Sequence, residues 1–251
     1  AEALPVLREE LRGECKRLGL GGTILLSREG VNGFLAGPIP AIAEIKRLLT
    51  AVPGFAGLDF KVSYSKEIPF RRMLVKLKKE IISMGIERIR PKEKTAPRLE
   101  PEELKQWLDE GRDVVLLDTR NEFEIALGTF KGARSFGINT FRAFSHQLES
   151  KREEFKNKPV VMFCTGGIRC EKAGALGIEL GLNAYQLEGG ILRYFEKVGG
   201  QHYQDDCFVF DRRVAIDPNL TPTSRHVMCY ECRTVHAANE KCPGSHAAQG
   251  T

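Results

Sequence analysis

The chain has 251 residues, 42% hydrophobic and 28% charged, with 38 Lys and Arg against 33 Asp and Glu. That composition describes a soluble globular protein with room for more than one core, and no apolar run approaches the length of a membrane span. The seven cysteines are odd in number, with two near a glycine pair and others in a Cys-x-x-Cys pair; this fits a reducing compartment, and the cytoplasm is expected.

The opening Ala1-Glu-Ala-Leu-Pro5 has no basic stretch before an apolar one, so no secretory signal is visible. Leu4, Leu7, Leu11, Cys15 and Leu18 recur at helical spacing, and an apolar strand follows at 23–26. Glu29-Gly-Val-Asn-Gly33 reads as a turn, with 34–36 as the returning strand. Ile42, Ile45, Leu48, Leu49 and Val52 predict a second amphipathic helix, and strands are expected near 58–64 and 72–78. The order α-β-β-α-β-β over residues 1–90 points to an α+β module of ferredoxin-like or acylphosphatase-like type. Such a module ordinarily opens on a strand before its first helix. None is visible here, so the start reads as truncated or differently built.

The net charge is +5, but residues 61–98 carry twelve Lys or Arg against four Glu. Arg71, Arg72, Lys76, Lys78 and Lys79 form the centre of this basic run. A concentrated basic segment is the electrostatic footprint of a phosphate-backbone partner. A merely solvated strand and linker accounts for the charge equally well.

Pro91-Lys-Glu-Lys-Thr-Ala-Pro97 is polar, charged and bounded by prolines, and reads as a linker. Residues 98–200 alternate strand and helix signals, which implies an α/β domain with a mainly parallel sheet. Within it, Val160–Phe163 reads as a buried strand ending at Cys164, and helical spacing resumes from Glu171. Thr165, Gly166, Gly167 and Ile168 lie in the connecting loop, followed by Arg169 and Cys170. Backbone N–H groups of such a loop converge on the sulfur, and the following helix favours an anion at its start. Both effects lower the pKa of Cys164 and make it a usable nucleophile. Both glycines are read as permitting the close turns this cradle needs. Four residues separate Cys164 from Arg169, one fewer than in the cysteine phosphatases, so the ring suits a sulfur atom or small anion better than a phosphoryl group.

From about residue 201 the chain is polar, with little periodicity, and holds four of the seven cysteines. Cys229, Cys232, Cys242 and His246 offer four tetrahedral ligands to a structural zinc, with His236 as an alternative fourth ligand. A tail of unliganded cysteines is the competing reading.

Several of these segments resemble the rhodanese domain. They are Asp113-Val-Val-Leu-Leu-Asp-Thr-Arg120 with Glu122 and Glu124 after it, Gly128-Thr-Phe-Lys-Gly-Ala133, the Cys164 loop, and Leu187-Glu-Gly-Gly190. The resemblance covers about residues 98–200. It implies a structural role for Asp118 and Arg120, which organise the loop from below. A closer similarity runs through Gly22–Gly33, Arg72–Ile81, Cys164–Ala173, Asp205–Ala215 and the C-terminal cysteines. These resemble the rhodanese-containing tRNA uridine hydroxylases, which convert the wobble uridine to 5-hydroxyuridine with molecular oxygen.

That resemblance implies tRNA, at its anticodon region, as partner and oxygen as co-reactant. The C6 position of uracil is electron-poor, so a Cys164 thiolate can add there and drive density onto C5. Loop N–H groups and Arg169 would stabilise the developing charge. A second route begins with oxidation of Cys164, with Cys170 as resolving thiol. The alternative function is a rhodanese-type sulfurtransferase carrying a persulfide on Cys164, and a non-catalytic binding module is a third. No P-loop or dinucleotide fingerprint is evident, so no nucleotide or flavin is implied. The oligomeric state is not readable.

Overall fold

The computed structural model describes residues 3–229, 231–232 and 234–244, and divides into two compact units, Ala1–Ser83 and Met84–Thr251. In the first, α1 (Ala3–Arg17) buries Leu11 and Cys15, as the leucine spacing requires. Strands β1 (Gly21–Ser27) and β2 (Gly30–Ala36) form an antiparallel hairpin, α2 (Ile39–Ala51) follows, and β3 (Met73–Leu77) joins β1 in parallel. The sheet order is β2-β1-β3.

Two expectations for this unit fail. The turn is Arg28-Glu29, closed by the pair Ser27 and Gly30, so residues 30–33 belong to β2. The backbone N–H of Glu29 donates to Ser27 Oγ at 2.9 Å, and Gly30 at φ +142° carries the chain out of the turn into β2. Gly22 and Gly33 serve close strand packing. A Cβ on Gly22 would lie 2.0 Å from the Phe34 carbonyl oxygen, and one on Gly33 would lie 2.6 Å from that of Thr23. No strand forms at 58–64 among the described residues. Leu58 and Phe60 lay their side chains on the core around Leu11, Ile24 and Ile45, while Val62 and Tyr64 stay exposed. The segment covers the core without entering the ladder.

The second unit begins with β4 (Arg98–Leu99), α3 (Pro101–Asp109), β5 (Val115–Asp118), α4 (Glu122–Ile125) and β6 (Gly128–Phe130). It continues with α5 (Phe144–Lys151), β7 (Val160–Phe163), α6 (Ile168–Glu179), β8 (Ala184–Leu187) and α7 (Gly190–Val198). Strands β4, β8, β7 and β5 form one sheet in that order, with every neighbour parallel, as the alternating pattern predicts. All four residues of β7 are buried, which is why it reads as an unbroken apolar run. The register pairs Asp118 with Phe163, so β5 and β7 end side by side and deliver Thr119 and Cys164 to the same edge.

Asp118 and Arg120 are almost wholly buried and pair through Arg120 Nη2 at 2.6 Å. Arg120 also donates to the Gly128 carbonyl at 2.7 Å, and Thr129 Oγ1 donates to Asp118 at 2.7 Å. The pair thereby ties β5 to β6. Burying both charges is costly, and the several hydrogen bonds at each end offset that cost.

Residues 91–97, read as a linker, lie in the second unit and are bound to it. Thr95 Oγ1 donates to the Glu171 carbonyl at 2.7 Å, Gln186 Nε2 donates to the Ala96 carbonyl at 2.7 Å, and Ala96 is buried. The polar C-terminal segment also departs from its reading. It forms β9 (Tyr203–Asp205), β10 (Cys207–Phe208), β11 (Ala215–Ile216), β12 (His226–Met228) and β13 (Val235–Ala237). Strand β9 pairs with β6. Tyr203, Cys207, Val209 and Ile216 enter the same core as Phe163 and Ile191. Short strands of two or three residues carry too little periodic signal to be seen in a sequence. Fully buried Asp206 accepts hydrogen bonds from Thr223 Oγ1 at 2.8 Å and Arg225 Nε at 3.0 Å, anchoring the chain ahead of β12.

Candidate active site

Cys164 stands one residue beyond β7, where the chain turns through Thr165–Gly167 into α6. The expected strand, loop and helix are all present. Gly167 takes φ +89°, a left-handed conformation that glycine tolerates without strain, and its N–H donates to Cys164 Sγ at 3.1 Å. Gly166 differs from expectation. A Cβ there would meet nothing within 4 Å, so the fold does not itself require glycine at that position. The demanding second glycine is Gly190, at φ +67°. A Cβ on it would lie 2.3 Å from the Cys164 carbonyl oxygen and 2.6 Å from the Gly167 nitrogen.

The carbonyls of the loop are turned away from the sulfur by α7. Ile191 N–H donates to the Cys164 carbonyl at 3.0 Å and Leu192 N–H to that of Thr165 at 3.1 Å. The first amides of α7 have no partners within their own helix, and here the loop carbonyls satisfy them. With its carbonyls engaged there, the loop leaves its N–H groups to the sulfur.

Arg169 and Glu124 form a buried bidentate pair, Nη1 to Oε2 and Nη2 to Oε1, both at 2.6 Å. Burial works against the charge on Arg169, but the Glu124 carboxylate and the Cys164 sulfur raise its pKa above the ordinary value. The charge of the guanidinium in turn acts on the Cys164 sulfur. Glu124 is the residue whose part sequence reasoning missed. The signal was available: an arginine expected beside a buried loop needs a carboxylate, and Glu124 lies in the segment after Asp118-Thr-Arg120.

The electrostatic outcome is clearest by comparison among buried cysteines. Cys15 and Cys207 are pushed up to about 11, chiefly by burial. Cys164 is equally enclosed, and burial pushes it the same way. Yet the Cys170 thiol, the Arg169 charge and the N–H groups of Arg169 and Gly167 bring it down to about 5. Cys170 moves upward, through burial and its hydrogen bond to Cys164. Of this coupled pair, Cys164 is the thiolate at neutral pH. Thr119 Oγ1, on the neighbouring strand end, lies 3.9 Å from Cys170 Sγ.

Thus Cys164, Arg169 and Cys170 converge, with Thr165–Ile168 forming the loop between them. Asp118 and Arg120 lie at the adjoining strand end and spend their charges on each other, Gly128 and Thr129. Arg71, Arg72, Lys76, Lys78 and Lys79 belong to the first unit, where all five are exposed. Cys229, Cys232 and Cys242 bring their sulfurs within 4.8 Å of one another. His246 lies outside the described residues, and His236 Nδ1 is 2.9 Å from the Ala237 carbonyl oxygen. No described helix is long and apolar enough to cross a membrane.

Residues 1–81 match the UPF0176 acylphosphatase like domain, and residues 100–197 match the Rhodanese-like domain. The tRNA uridine(34) hydroxylase of Cupriavidus pinatubonensis is 50% identical over 244 residues, covering 95% of this chain and 86% of that protein. The tRNA uridine(34) hydroxylase of Thiobacillus denitrificans is 52% identical over 229 residues, covering 89% and 92%. Among solved structures, a rhodanese-like domain protein from Staphylococcus aureus is 25% identical at TM-score 0.34, covering 39% of this chain and 90% of that one.

The two glycines make opposite predictions. Gly190→Ala should displace the loop carbonyls and raise the Cys164 pKa toward that of an ordinary thiol, measured from the pH dependence of iodoacetamide alkylation. Gly166→Ala should leave that profile unchanged. Equal effects from the two substitutions would contradict this account of the loop.

Proposed function

The chain belongs to the tRNA uridine(34) hydroxylase family, and from that premise we propose how its own residues carry out the hydroxylation of the wobble uridine. The observation that carries the proposal is the placement of Cys164 in a buried loop at the end of a parallel strand, with the Gly167 N–H donating to its sulfur at 3.1 Å and Arg169, paired with Glu124, closing the loop. Cys164 adds to C6 of the uracil ring, and the electron density released onto C5 reacts there with molecular oxygen. The developing negative charge is stabilised by Arg169, itself fixed by Glu124, and by the loop N–H groups. Loss of the C5 proton and expulsion of the cysteine restore the C5–C6 double bond. One oxygen atom stays on the base and the other leaves as water, which requires two electrons. Closing Cys164 and Cys170 to a disulfide supplies them, and an external thiol reopens it. Both cysteines are buried and each acts on the ionisation of the other, which supports that pairing.

The substrate region is the anticodon loop, whose unpaired bases can be splayed into a protein site. The exposed Arg71, Arg72, Lys76, Lys78 and Lys79 contribute contacts to RNA phosphates. The cytoplasm, where tRNA and reduced thiols coexist, is the proposed location.

The three clustered sulfurs of Cys229, Cys232 and Cys242 fit a thiolate set for structural zinc, which favours tetrahedral sulfur and nitrogen ligands. Bound there, zinc would staple the segment that follows β11. Purified protein should contain about one zinc per chain by elemental analysis, and chelation should lower its melting temperature. Absence of zinc after preparation with zinc supplied would remove this site from the account.

The direct test of the reaction is nucleoside mass spectrometry on unmodified tRNA incubated in air with an added thiol. One oxygen should appear on the wobble uridine, and neither Cys164→Ser nor an anaerobic reaction should yield it. A fully active Cys164→Ser protein would falsify the assignment of Cys164.

A further inference from the structure

Phe123 and Phe210 are among the largest exposed hydrophobic side chains of the second unit, 37% and 46% accessible. A lone exposed phenylalanine is ordinary on a protein surface. These two differ in where they stand. Phe208, between them in the packing, is 1% exposed and meets both rings edge-on, Phe123 at 5.3 Å and Phe210 at 5.0 Å between centroids. The exposed rings are therefore seated on a buried one.

Both also adjoin the reactive loop. The Arg169 guanidinium carbon lies 5.9 Å from the Phe210 ring centroid, and Arg169 closes the loop that Cys164 opens, its charge acting on that sulfur. Phe123 precedes Glu124, the carboxylate that grips Arg169. Val209, the residue before Phe210, is buried, so the chain turns one large apolar group inward and the next outward. Arg212, two residues further on, is exposed and carries a positive charge to the same surface turn. An exposed aromatic ring, a nearby cation and an adjacent reactive thiolate form the combination that receives an unpaired base and its phosphate.

We propose that Phe210, together with Phe123, is a stacking platform for an unpaired nucleobase of the substrate RNA, with Arg212 on the neighbouring phosphate. Every nucleobase has a flat face, so the platform orients RNA beside Cys164 without selecting sequence by itself. Phe210 is a positioning residue for the reaction, and its first effect is on binding. The inference rests on the hydroxylase reading, because that reading supplies RNA as the ligand.

The test uses the full chain and a fluorescein-labelled anticodon stem-loop with uridine at the wobble position. Phe210→Ala, Phe210→Leu and Phe210→Trp are compared by fluorescence anisotropy, by hydroxylation kinetics and by iodoacetamide alkylation of Cys164. Both Phe210→Ala and Phe210→Leu should weaken binding and raise KM by about 5- to 150-fold, the range set by loss of one base–aromatic stack. Phe210→Trp should bind about as well as the native chain, and all three should keep the native alkylation rate. Leucine restores apolar bulk but offers no ring, so native binding by Phe210→Leu would overturn the proposal. So would slowed alkylation in Phe210→Ala that tracks its lost activity, since the ring would then act only by supporting Arg169. Should the native chain bind the RNA without hydroxylating it, the reaction assignment fails, and anisotropy of the variants still decides the platform.

Discussion

A sulfur anion enclosed by protein is the constraint on which the second unit is built. Removing a thiolate from water is unfavourable, and burial is the chief cause that takes Cys15 and Cys207 to about 11. At Cys164 the balance reverses because hydrogen-bond donors and a fixed positive charge face the sulfur. Those donors are available because α7 engages the carbonyls of the same loop, and α7 can come that close because residue 190 has no side chain. The reactivity of one atom therefore depends on a glycine in a different helix.

The charges around the loop are divided into two sets. Arg169 serves the sulfur, and its bidentate pairing with Glu124 turns a long flexible side chain into a fixed charge. Asp118 and Arg120 lie one strand end away and brace the backbone through Gly128, which also accepts a hydrogen bond from Tyr203 at 2.8 Å. Tyr203 belongs to β9, so this bracing draws the C-terminal segment into the domain that carries the loop. The same segment brings Phe210 to Arg169.

The parallel sheet and the reactive loop were legible because each has a local signature. Val160–Phe163 is an unbroken apolar run, and the cysteine, glycines and renewed helical spacing follow within a few residues. The paired glycines 189 and 190 were visible as a motif, but their contact with the loop depends on packing between elements far apart in sequence. Glu124 was likewise visible without its partner, 45 residues away. The hairpin turn sits ahead of its expected place because Gly33 looks like a turn residue, whereas here it lets the neighbouring strands approach. The segment 58–64 has strand-like residues but lies over its core through side chains alone. The C-terminal segment was read as polar because its core residues are scattered among short strands rather than gathered in a periodic run.

The account stands most directly on the ionisation of Cys164. Thiolate absorbance of the native protein, titrated against pH with Cys164→Ser and Cys164→Ser/Cys170→Ser as subtracted backgrounds, separates that group from Cys170. A midpoint near 5 is the expected result. A midpoint at about 8.5 or above, the range of an unperturbed thiol, would contradict the claim that the loop holds a buried thiolate.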